Sequence, residues 1–111
     1  MEKELPVINK ELLNDGPPEL VEEIITMLRQ QLPENQRHIN HSCSTQDWKE
    51  ARAQLHKLQG SCAYSGLARL GAVTAELYSS IKNENTASQN LLDRFNTEIE
   101  AVLRELKTIH L

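Results

Sequence analysis

The stretch Trp48–Ile81, WKEARAQLHKLQGSCAYSGLARLGAVTAELYSSI, decides the fold. Trp48, Ala51, Leu55, Leu58 and Cys62 recur at steps of three and four, the period of one face of an α-helix. Gly66 then falls where a helix ends on a left-handed residue. Beyond it Leu67, Leu70, Val73/Thr74, Leu77 and Ile81 start a second stripe of the same period. Two amphipathic helices joined by one glycine turn predict an antiparallel pair.

The pattern extends in both directions. Upstream, Ser44-Thr45-Gln46-Asp47 offers capping groups to the Trp48 helix. Before it Leu20, Ile24, Met27/Leu28, Leu32, Gln36, Ile39 and Cys43 keep one phase across Pro33, which predicts a single long helix bent there. Asn14-Asp15-Gly16-Pro17-Pro18 reads as a turn with proline in the first helical turn, where a missing N–H costs nothing. Lys10 to Leu13 are expected to form a short extra turn covering one end. Downstream, Lys82-Asn83-Glu84-Asn85 reads as a polar linker and Thr86 with Gln89 as a capping box. Leu92, Phe95, Ile99, Val102 and Leu106 form the last stripe. No segment alternates as a strand does. The fold class expected is all-α: an antiparallel up-down four-helix bundle, one domain over residues 1–111.

Composition agrees with that architecture and removes several functions. One Trp, two Tyr and one Phe leave an aliphatic core, and a chain of 111 residues can bury roughly two thirds of its unfolded surface. The net charge of −4 lacks the basic excess of a nucleic-acid binder. Met1–Lys10 has no apolar signal region, and no run approaches the roughly 20 apolar residues of a membrane helix. Cys43 and Cys62 have no C-x-x-C spacing and read as reduced thiols of a cytoplasmic domain, Cys62 as core filling. The domain could equally be a piece of a larger membrane protein.

The polar side of the Trp48 helix carries the chemistry. His56 has Arg52 and Lys49 one and two turns before it on its face, and Lys57 beside it. Gly60 lies one turn after His56, where glycine costs about 1 kcal/mol relative to alanine. A missing side chain there clears space over the imidazole. The cations would stabilise the nearly two negative charges of a phosphoryl group. A neutral imidazole offers a lone pair at pH 7 without an activating base. Against this, Gly60 could serve close helix packing and the basic stripe could be an ordinary solvated face. His38, His41 and Cys43 suggest a metal cluster, but Cys43 lies off the face shared by the two histidines, so no metal is expected. Tyr64 and Ser65 read as helix-end residues and Trp48 as a buried anchor. There is no G-x-S-x-G elbow and no P-loop.

His56-Lys57-Leu58-Gln59-Gly60-Ser61, then Gly66 and Leu70, resembles the histidine phosphotransfer (HPt) motif H-x-L-K-G-(S/A)-x4-G-x3-L. The run HKLQGSCAYSGLARL looks most like the HPt domains that end hybrid sensor kinases of the BarA/GacS type. The resemblance implies a domain core at about 5–107. The resemblance implies that His56 accepts a phosphoryl group, through Nε2, from a receiver-domain aspartate and passes it to a response-regulator aspartate. It implies no ATP site and no cofactor, Mg²⁺ being held by the partner receiver. Partners would be receiver domains, with no nucleic acid and no membrane contact, and the chain would be a monomer. Gly60 would be the clearance residue, Leu58 and Leu70 core, Gly66 the turn. Gln59 stands where the family commonly has lysine, so Arg52, Lys57 and Lys49 are expected to supply the positive field. Ala63 and Leu67, with first-helix residues near Pro33, are expected to meet the receiver, and Tyr78 to orient the imidazole through its other nitrogen. Two rivals stay open: a helical interaction module that docks a receiver or kinase without being phosphorylated, and the dimerising helical domain of a kinase core.

Overall fold

The computed structural model describes residues 18–109. They form α1 (Pro18–Ser44), α2 (Trp48–Ser65), α3 (Ala68–Glu84) and α4 (Gln89–Thr108). Each helix packs on the next in sequence, and α4 returns to α1, giving an antiparallel up-down four-helix bundle. The expected turn at Lys10–Leu13 and most of the Asn14–Pro18 turn lie outside the described residues.

The connections are set by local chemistry. Asp47 caps α2, its carboxylate accepting from the Glu50 amide at 3.3 Å. Gly66 ends α2 in the left-handed region at φ 70°, ψ 32°. The Leu67 amide donates to the Cys62 carbonyl at 2.9 Å, the six-residue closure of a Schellman ending, and both side chains are buried as that motif requires. α3 continues through Lys82-Asn83-Glu84 and stops at Asn85, also left-handed at φ 50°. The expected linker is therefore helix. The capping box at Thr86 and Gln89 does not form. Ser88 caps α4 instead, accepting from the Leu91 amide at 3.1 Å, while the Thr86 carbonyl accepts from the Ser80 hydroxyl.

The stripes meet in one aliphatic core that includes Ile25, Leu28, Leu32, Ile39, Leu55, Leu58, Leu70, Leu77, Phe95 and Ile99. α1 runs unbroken through Pro33, whose ring faces solvent. Its core phase begins at Ile25 rather than Leu20, which is exposed, and Ile24 is only partly buried. Trp48 is likewise half-buried at the rim, since it is the first residue of α2 and has no turn before it to cover it. Two polar seams fix helix pairing. Asn40 and Asn96 exchange amide hydrogen bonds at 2.7 and 3.0 Å between α1 and α4, joined by Gln36. Arg69 grips Glu98 with two bonds of 2.7 Å between α3 and α4. Among the described residues no helix is long and apolar enough to cross a membrane.

Candidate functional site

His56 projects from the solvent side of α2, because Leu55 and Leu58 on either side of it are driven into the core. A shallow open groove of about 280 Å³ runs beside it, lined by Lys49, Arg52, Ala53, His56 and Tyr78. Tyr78 comes from α3, and its ring lies 6.0 Å from the imidazole, centroid to centroid, with the planes tilted by 42°. The expected role of Tyr78 is thus altered in kind. The two rings meet in a tilted contact, and no described residue hydrogen-bonds either imidazole nitrogen.

The charges around the groove are uncompensated. Arg37, Arg69 and Arg94 pair with Glu34, Glu98 and Glu76. Lys49, Arg52 and Lys57 have no carboxylate partner among the described residues. Arg52 Nε is shielded from solvent and has no acceptor at all. Such an orphan donor costs about 1–3 kcal/mol unless an acceptor arrives. Lys49 and Arg52 therefore share the groove with His56, whereas Lys57, Gln59 and Gly60 do not line it. Lys57 is exposed and Gln59 half-buried.

Gly60 separates the two readings the sequence leaves open. A Cβ built on it would meet no atom within 4 Å, so helix packing does not require glycine there. The glycine of the helix contact is Gly71 on α3, whose Cβ would stand 3.3 Å from Cys62 Cβ. Gly60 is open toward whatever approaches from outside the chain. Gly71 escaped the sequence reading because only the register of α2 against α3 reveals it.

Other expectations sort as follows. Leu67 cannot meet a receiver: it is fully buried, drawn inward by the Schellman ending. Ala63 is exposed, as are Pro33 and Glu34. Leu58 and Leu70 are core. His38 lies 4.0 Å from Glu50 on the surface, Cys43 is buried away from it, and no group of three metal-ligating side chains converges among the described residues. Both cysteines are free and buried, and burial pushes the Cys62 thiol up to about 12. A larger groove, about 480 Å³ between α3 and α4, contains Arg69 and Arg94, but both are already bound to carboxylates.

The Hpt domain family model matches residues 23–105. No significant match exists among curated proteins. Among solved structures the chain is similar to the HPT domain of the Hpt sensor hybrid histidine kinase from Shewanella, at 24% identity, covering 97% of this chain and 100% of that one with a TM-score of 0.72. A bundle that holds one histidine on an open helix face beside unpaired cations, and matches that family over most of its length, leaves one assignment: the chain belongs to the Hpt domain family, phosphocarriers that act as intermediates in two-component phosphorelays and not as kinases.

Proposed function

We propose that His56 is the phosphoryl-accepting residue of this domain. The observation that carries the reading is the open side of His56: Gly60 leaves the ring approachable, while Lys49 and the acceptor-less Arg52 share its groove. The Nε2 lone pair attacks the phosphorus of a receiver's aspartyl phosphate. A P–N bond forms, the P–O bond to the aspartate breaks, and the carboxylate leaves with the bonding pair. The ring keeps its proton on Nδ1 and carries the positive charge. Attack by the carboxylate of a response regulator reverses each step and returns neutral imidazole.

Phosphoryl transfer depends mainly on positioning and on charge stabilisation. Arg52 and Lys49 provide the charge, in place of the lysine that Gln59 replaces. Tyr78 provides the positioning by limiting how far the imidazole can swing. Mg²⁺ and the acidic pocket belong to the receiver, and this chain contributes no ligand to the metal. The domain works as a cytoplasmic monomer, as a module of a hybrid sensor kinase; the motif resemblance and the likeness to the Shewanella domain support that setting.

The test is to incubate the chain with a ³²P-labelled receiver and Mg²⁺, beside His56→Gln. Acid-labile, base-stable label on the wild type alone supports the reading. Binding of receivers without any label would favour the non-phosphorylated interaction module.

A further inference from the structure

Tyr64 is 64% exposed, against 39% for Leu20, the other large hydrophobic side chain left open among the described residues. Helix-end geometry does not explain it, since the α2 ending is made by Cys62, Gly66 and Leu67. Its place relative to His56 is specific. Eight residues on one helix separate the two by about 12 Å along the axis and about 80° around it. Gly60 lies midway in both senses, four residues from each, and apart from its own helix backbone and chain neighbours nothing stands within 4 Å of where a Cβ would be. The open strip therefore runs from the imidazole to the phenol.

The segment that carries this strip is free of acids. From Ala51 to Ala75 there is no Asp or Glu, so all 16 lie elsewhere, although the chain as a whole carries −4. Of the acids that bound the segment, Glu50 accepts from Gln54 and Glu76 pairs with Arg94. An acidic partner is complementary to the cations Lys49, Arg52 and Lys57, which have no carboxylate partner among the described residues. A docking patch of about 800 Å² per partner, centred on His56, reaches about 16 Å in each direction and so takes in Tyr64. Exposed tyrosines within such patches are frequent affinity anchors, since they bury a large rigid area at low entropic cost.

We infer that Tyr64 is the affinity-setting contact for an acidic receiver domain, whose surface lies along α2 over Gly60 from His56 to Tyr64. The inference rests on the phosphorelay reading above and goes further by assigning recognition to a residue outside the chemistry. Tyr64 touches no reacting atom, so it sets how tightly the receiver binds and leaves the imidazole's reactivity unchanged.

The experiment compares the wild-type chain with Tyr64→Ala, using two phosphoryl donors: phosphoramidate, which needs no docking, and a phosphorylated receiver domain from a hybrid kinase. The expected result is wild-type labelling of His56 by phosphoramidate, with receiver affinity weakened about tenfold or more. Unchanged receiver affinity overturns the inference and leaves the phosphorelay reading standing. Loss of labelling from both donors places Tyr64 in the chemistry or the fold, and also overturns it. A wild-type chain that phosphoramidate labels but that no receiver binds overturns the inference and leaves His56 as the phosphoryl-accepting residue.

Discussion

The imidazole of His56 rests against the ring of Tyr78, with centroids 6.0 Å apart and planes tilted by 42°. The contact joins α2 to α3 at the one place where a side chain of α3 helps line the groove beside the histidine. Because no described residue hydrogen-bonds the imidazole, ring packing is what restrains it on this side of the bundle. A tyrosine used in this way acts through its ring and not through its hydroxyl.

Tyr78→Phe is therefore expected to transfer phosphoryl groups at the wild-type rate, while Tyr78→Ala transfers more slowly with unchanged receiver affinity. Rapid-quench kinetics beside a binding titration separates the two. Equal loss in both variants would assign the role to the hydroxyl.

Gly60 and Gly71 should respond in opposite ways. Gly60→Ala adds a methyl that meets nothing in the fold and gains about 1 kcal/mol of helix propensity. Gly71→Leu pushes into Cys62, 3.3 Å from the first added carbon, and should lose about 1–3 kcal/mol. Urea denaturation measures both. Gly60→Phe should fold normally yet slow receiver transfer by an order of magnitude or more, because the bulk stands where the partner approaches.

Arg52 and Lys57 flank the same histidine, but only Arg52 lines its groove. Arg52→Ala should shorten the half-life of phospho-His56 about fivefold, the ratio given by about 1 kcal/mol of charge-assisted contact. Lys57→Ala should change it less. Following the decay of labelled protein at pH 8 ranks the two, and unchanged lifetimes in both would remove these cations from the account.

Burial raises the Cys62 thiol from 9.0 to about 12, and Cys43 moves the same way. The folded state thus holds a proton that the unfolded chain releases above pH 9.0, so stability is intact below that pH and falls as pH rises toward 12. Cys62→Ala should flatten this alkaline slope in pH-dependent denaturation. Iodoacetamide at pH 8 should alkylate native Cys62 only at the rate of unfolding.

The helices, their order and most of the core were legible because apolar residues repeat at helical period from Ile39 to Leu106, and Gly66 punctuates where it should. Gly60 stood out because a glycine inside a helix breaks the rule for its position, and His56 because it lies one turn before that glycine among Lys49, Arg52 and Lys57. What failed depended on three dimensions. Leu67 follows the end of α2 in sequence, yet the Schellman ending turns it inward and off the docking surface. Thr86 loses the cap to Ser88 because α3 runs longer than its polar tail suggested. Tyr78 was placed beside His56 by antiparallel register, but ring contact in place of a hydrogen bond could not be read from a letter.

The most direct test of His56 as a relay residue uses two receivers. One is phosphorylated and then separated from its donor, the other is unlabelled, and this chain is supplied in catalytic amount. Label is predicted to reach the second receiver only when the wild-type chain is present, and not with His56→Gln. Equal transfer with His56→Gln, or none with either, would contradict it.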